Sequence, residues 1–145
     1  QVVEVSWALR NAKAQVLRDG GTKELRVPAL TSVWLDKVML PDVDIFSEYV
    51  SYEIRQDGRV ISDGTVIFSY PKYFRYEDPK LSFRVEGDEI VVAAGAYAKS
   101  VEILNEQEDL ILSDNYFDLN GDERRVKILA GEAEGIRRRS VYDIR

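Results

Sequence analysis

Val50-Ser51-Tyr52-Glu53-Ile54-Arg55-Gln56-Asp57-Gly58-Arg59-Val60 reads as two β-strands folded around a tight turn. Val50, Tyr52 and Ile54 alternate with Ser51, Glu53 and Arg55, so one set faces a packed layer and the other faces water. Asp57-Gly58 supplies residues that tolerate positive φ, which a two-residue hairpin turn demands. Beyond the turn, Val66, Phe68 and Tyr70 carry the strand onward.

The same alternation extends in both directions. Upstream, Val3, Val5, Trp7 and Leu9 share a face opposite Glu4, Ser6 and Arg10, while Leu25 and Val27 alternate with Glu24 and Arg26. Asp19-Gly20-Gly21 reads as another, looser turn. Downstream come Leu81, Phe83 and Val85, a turn at Gly87-Asp88, then Ile90 and Val92. Val101 and Ile103, Leu110 and Leu112, and Val126 and Ile128 continue the series. No window carries an apolar stripe of period 3.6. Many short one-sided strands between turn signals predict an all-β, immunoglobulin-like β-sandwich architecture.

A break is predicted within Ser69 to Lys80, where Pro71 and Pro79 each remove a ladder donor. About six strands precede it and about six or seven follow, matching a small sandwich on each side. The chain therefore divides into two consecutive sandwiches, residues 1–78 and 79–145. A single larger sandwich with the prolines in a loop is the alternative. Trp7 is expected in the core, and Trp34 either in the core or against a neighbouring domain.

Composition narrows the function classes. With 45% apolar and 32% charged residues, the chain is an ordinary globular sequence without a membrane-spanning run. A net charge of −6 argues against backbone binding of nucleic acid, and Arg137-Arg138-Arg139 is a short basic cluster. There is neither Cys nor His, so thiol nucleophiles, disulfides, serine triads and histidine–zinc chemistry are excluded within this chain. No cofactor or metal is expected, and the compartment stays open. Gln1 is not an initiator Met and strand begins at once, so the chain is expected to be a segment of a longer protein.

Three features could carry chemistry. Among 26 acidic residues no spacing selects the carboxylate pair that glycoside hydrolysis needs, and most alternate with apolar residues toward solvent. Asp118-Leu119-Asn120-Gly121-Asp122-Glu123 has calcium-loop oxygens at alternate positions, yet Glu123 stands where the loop needs Gly and Leu129 where it needs Glu. A hairpin turn at Asn120-Gly121 is the expected reading. Tyr73, Phe74 and Tyr76 crowd the connector, where they are candidates for an interdomain interface or for stacking on sugars.

The stretch Ser113-Asp114-Asn115-Tyr116-Phe117-Asp118-Leu119 predicts a strand end closed by side chains that bond their own backbone, with Phe117 and Leu119 sharing a face. It resembles the closing signature of the C-terminal immunoglobulin-like domain of β-mannosidases. Val5 to Leu17 resembles a strand pair of the preceding mannosidase Ig/CBM-like domain, and Val66-Ile67-Phe68 with Tyr70-Pro71-Lys72 resembles that domain's exit. The resemblance implies a parent glycoside hydrolase of carbohydrate metabolism that removes terminal β-mannose with retention. Its catalytic glutamates would lie in an upstream (β/α)₈ barrel, and the first strands of the penultimate domain would precede Gln1. It implies a non-catalytic accessory role for this chain, with the parent's barrel as partner. The alternatives are a carbohydrate-binding module and an immunoglobulin-like adhesion or scaffold domain.

Overall fold

The computed structural model describes residues 2–26 and 42–144. Trp34 and Val27 lie outside these described residues. Among the described residues of the first half, β1 (Val2–Asn11), β2 (Val16–Arg26), β3 (Glu48–Gln56) and β4 (Arg59–Ile67) form an antiparallel sheet in the order β2-β1-β3-β4. Asp57 and Gly58 both adopt positive φ, 52° and 77°, and close the β3–β4 hairpin between Gln56 and Arg59.

Asp19-Gly20-Gly21 is a bulge inside β2 rather than a turn. The β1–β2 register slips between Ser6 and Ala8, with Gly21 at φ 74°. Asp19 Oδ1 accepts the Gly21 N–H at 2.7 Å, which holds the extra residue in place. The chain instead reverses at Ala12–Gln15, where Asn11 Oδ1 accepts from both Lys13 N and Gln15 N. The packing of two large rings explains why Gly20 and Gly64 are needed. Trp7 lies opposite Tyr52, and Tyr52 lies opposite Gly64. A Cβ on Gly20 would fall inside the Trp7 indole, and one on Gly64 would come within 2.6 Å of the Tyr52 hydroxyl. Two glycines therefore let the two large rings lie down over the outer strands, and Arg18 stacks on Trp7 at 5.5 Å.

The second half is a seven-stranded sandwich. One sheet holds β5 (Ser82–Glu86), β6 (Glu89–Ala93), β10 (Glu123–Ala130) and β8 (Ile111–Leu112), in the order β5-β6-β10-β8. The other holds β11 (Arg137–Arg139), β7 (Tyr97–Leu104) and β9 (Phe117–Asn120), in the order β11-β7-β9. Their inner faces bury Ile90, Val92, Val101, Ile103, Phe117, Leu119 and Val126 as one core. Phe117 and Leu119 fill it while Tyr116 stays exposed.

Asn120-Gly121 is tight but does not close a hairpin, because β9 pairs with β7 and β10 pairs with β6 and β8. The turn carries the chain from one sheet to the other, with Gly121 at φ 70° and Asp122 Oδ1 accepting Asn120 N at 2.8 Å. Each arginine of the 137–139 run is engaged. Arg137 pairs with Glu108, Arg138 donates to Leu81 O, and Arg139 pairs with Glu102.

Candidate functional site: the joint and groove between the halves

Alternation along β1 and β3 puts Ser6, Ala8 and Arg10 on the face shared with Glu53, Ser51 and Tyr49. One end of this polar face is not in water. The second half sits on it, and the contact is built around stacked aromatic rings. Tyr49 of β3 and Tyr97 of β7 stack at 3.6 Å between centroids and 13° between planes. Both are fully buried, with Ala12 and Phe74 completing the cluster. Phe74 meets Tyr49 edge-on at 6.4 Å and Tyr97 at 5.8 Å, and Tyr76 leans on Phe74 at 4.9 Å.

The polar tips of these rings are satisfied across the joint. Tyr49 donates to Asn120 Oδ1 at 2.8 Å. Thr65 of β4 gives its hydroxyl hydrogen to Asp118 Oδ2 at 2.5 Å. The 2.6 Å contact between Tyr97 and Thr65 must therefore run from the Tyr97 hydroxyl to Thr65 Oγ1. Burial pushes both tyrosine hydroxyls well above the ordinary phenol range, and the nearby Asp118 carboxylate adds to this for Tyr97. Arg124 pairs with Asp63 of the first half and, at 2.6 Å, with Asp114 of the second, while lying over Phe117 at 5.0 Å.

The connector is fastened at both ends. A 3₁₀ turn spans Pro71–Tyr73, the position where Pro lacks a needed donor least. Arg75 N donates to Phe46 O at 2.7 Å, and Gly95 N donates to Pro79 O at 2.7 Å. The three connector aromatics are placed differently. Phe74 is buried at 2% exposure and Tyr76 is partly buried against it, whereas Tyr73 is 55% exposed beside Tyr70 at 73%. They do not form a shared ring surface open to a ligand.

Within Ser113 to Leu119 the side chains bond chiefly to neighbouring strands rather than to their own backbone. Ser113 N donates to Lys127 O, and Ser113 Oγ accepts Lys127 N at 2.8 Å. Asn115 accepts Ile103 N at 3.0 Å and donates to Ile103 O at 3.2 Å, mimicking one rung of a ladder. It also accepts Tyr116 N at 3.1 Å, the one local bond of the expected kind. Asp118 accepts Ser100 N at 2.7 Å with one oxygen and Thr65 with the other. The partners are strands far away in sequence, so no local signal could have named them. Tyr49, Tyr97, Thr65 and Arg124 were likewise invisible as joint residues, because each looks like an ordinary strand position.

Beside the joint runs a groove of about 840 Å³ between the polar face of the first sheet and the β9–β10 corner. Its lining is mostly polar, including Arg10, Ser51, Glu53, Asp122 and Arg124. Among the described residues no three His, Cys, Asp or Glu side chains are placed to hold a metal ion.

The comparisons with known proteins agree with this architecture. Residues 1–73 match the Mannosidase Ig/CBM-like domain, and residues 76–144 match an Ig-fold domain of mannosidases. A crystal structure of a β-D-mannosidase from Dictyoglomus thermophilum superimposes on 96% of this chain with a TM-score of 0.67, at 18% sequence identity. The chain spans 18% of that protein's length. No curated protein sequence matches it. The fold and both family matches place this chain in one group: it belongs to the mannosidase Ig/CBM-like domain family, continued by the mannosidase Ig-fold domain.

Proposed function

We propose that this chain is a non-catalytic accessory region of a β-mannosidase-type glycoside hydrolase and packs against the catalytic domain of its own parent. The parent would hydrolyse terminal β-mannosides with its own pair of carboxylates. The observation that carries this reading is the joint itself. Buried Tyr49–Tyr97 stacking, the Thr65–Asp118 bond and the Arg124 bridge fix the halves into one body. A rigid body of this kind supports a neighbour, because docking it orders few new side chains. In this reading Ser113 to Leu119 is a structural element, and Phe74 and Tyr76 belong to the joint. The boundary between the two domains falls within the fastened connector.

The isolated chain is expected to release no product from an aryl β-mannoside. It is expected to co-elute with a parent enzyme truncated before these domains and to restore its thermal stability. Turnover abolished by a carboxylate substitution in this chain would overturn the proposal, as would a truncated parent of unchanged stability and activity.

A further inference from the structure

We propose that Asn120 is a site of spontaneous deamidation, and that the joint between the halves guards it. Of the four asparagines, Asn11, Asn105, Asn115 and Asn120, only Asn120 precedes a glycine. With no side chain on the following residue, its backbone nitrogen can reach the asparagine side-chain carbon, the reaction behind the thermal lability of Asn. Gly121 lies exposed at φ 70°, and among the described residues its N–H donates to no protein acceptor.

The reaction needs only water and base. Gly121 N gives up its proton and attacks Asn120 Cγ. The Cγ–Nδ2 bond breaks, and Nδ2 takes up a proton and leaves as ammonia. Water then opens the resulting succinimide ring at one of its two carbonyls. Opening at one leaves aspartate, and at the other isoaspartate, whose main chain runs through Cγ and is longer by a methylene.

The fold holds Asn120 away from that ring. Asn120 pairs with Tyr97 at the end of β9, and its N donates to Asp122 Oδ1 at 2.8 Å. Its Oδ1 accepts the hydroxyl of Tyr49, from the first half, at 2.8 Å. Cyclisation turns the Asn120 side chain onto Gly121 N and breaks that bond. A Cβ on Gly121 would lie 3.3 Å from Ala14 Cβ, so the turn is seated against the Ala12–Gln15 reversal of the first half. Its freedom to cyclise comes from local parting of the halves. The products do not restore the contact. The added methylene of isoaspartate shifts Gly121 off a seat whose distance from core residue Leu119 is fixed. Aspartate places another carboxylate between Asp118 and Asp122. Opening of the joint is thus recorded as a one-way chemical change. This inference does not depend on the accessory reading, since it concerns the joint and not what the joined body supports.

The test is ageing of the intact chain in warm, mildly alkaline buffer with and without urea, followed by peptide mass mapping and isoaspartate quantification. Asn120 should gain about 1 Da while the other three asparagines stay intact, about a hundredfold more slowly without urea than with it. Tyr49→Phe keeps the stacked ring and should speed the native reaction about fivefold, the factor carried by one hydrogen bond, without changing the rate in urea. Gly20→Ala, which crowds Trp7 on the other face of the sheet, should leave the native rate unaltered. Tyr97 N donates across the joint to Ala12 O at 3.1 Å, so the modified chain should lose hydrogen-exchange protection at Tyr97. Equal rates with and without urea would overturn the proposal, as would an Asn120 that stays intact in the native chain over months. A native rate indifferent to Tyr49→Phe, one raised as much by Gly20→Ala, or a modified chain with full Tyr97 protection would overturn it equally.

Discussion

Removing the Thr65 hydroxyl tests whether the two halves fold as one body. Thr65→Val keeps shape but deprives Asp118 Oδ2 of its donor at 2.5 Å and the buried Tyr97 hydroxyl of its acceptor at 2.6 Å. Loss of a bond to a charged group together with an orphaned buried hydroxyl costs about 3 kcal/mol. Tyr97→Phe alone costs about 1 kcal/mol, because Thr65 keeps its bond to Asp118. In the double variant no tyrosine hydroxyl remains to be orphaned. Its cost should therefore be about 3 rather than about 4 kcal/mol, a coupling of about 1 kcal/mol between residues in different halves. Urea unfolding followed by tryptophan fluorescence reports the first half, since both tryptophans, Trp7 and Trp34, lie there. Hydrogen exchange at Val101 and Leu119 reports the second. One coincident transition, shifted together by each variant, is the expected result. Additivity to within about 0.3 kcal/mol, or two transitions of which one moves, would refute the reasoning.

Other substitutions address single elements. Gly20→Ala drives a methyl into the Trp7 indole and should cost about 2–3 kcal/mol in thermal unfolding, whereas Gly64→Ala meets only the far end of the Tyr52 ring and should cost about 1 kcal/mol. Asn115→Asp keeps the acceptor for Ile103 N but turns a carboxylate toward Ile103 O, and should cost about 2–3 kcal/mol by urea denaturation. The Tyr116 hydroxyl, and after it Arg139, holds the Glu102 carboxyl below its ordinary pKa of 4.5. A depressed folded-state value gives stability that is present above the unfolded pKa and lost as pH falls through the folded one. Tyr116→Phe should therefore flatten the drop in melting temperature between about pH 6 and about pH 3 relative to the unaltered chain.

What was legible in the sequence was what is local. Period-two alternation identified the apolar row Val3, Val5, Trp7, Leu9, and the register pairs it with Ile54, Tyr52 and Val50 as expected of one face. Asp57-Gly58 was legible because two positive φ values in succession restrict the choice of residue. Asp19-Gly20-Gly21 misled, since a glycine at positive φ serves a bulge as well as a turn and only the strand opposite distinguishes them. Asn120-Gly121 misled in a related way. Its conformation is that of a tight turn, but the strands it joins belong to different layers. Partner strand is a property of the whole sandwich and leaves no mark on the turn residues.

The joint escaped for a more general reason. Its residues obey the alternation rule on the side that the rule assigns to water. Tyr49, Ser51 and Thr65 occupy the polar face of the first sheet, where a short sequence window cannot tell solvent from a neighbouring domain. Tyrosine and threonine suit both settings, since each offers an apolar body and a polar tip. The interface is thus assembled from side chains that would be tolerable on a free surface, and burial between halves becomes favourable only once Asp118 and Asn120 arrive to accept their hydroxyls. Those two acceptors flank Leu119 on β9, whose register is fixed by Phe117 and Leu119 in the sandwich core. Packing inside the second half therefore determines where the polar contacts with the first half fall. A change in that core, such as Leu119→Ala, should loosen the joint as well as the sandwich.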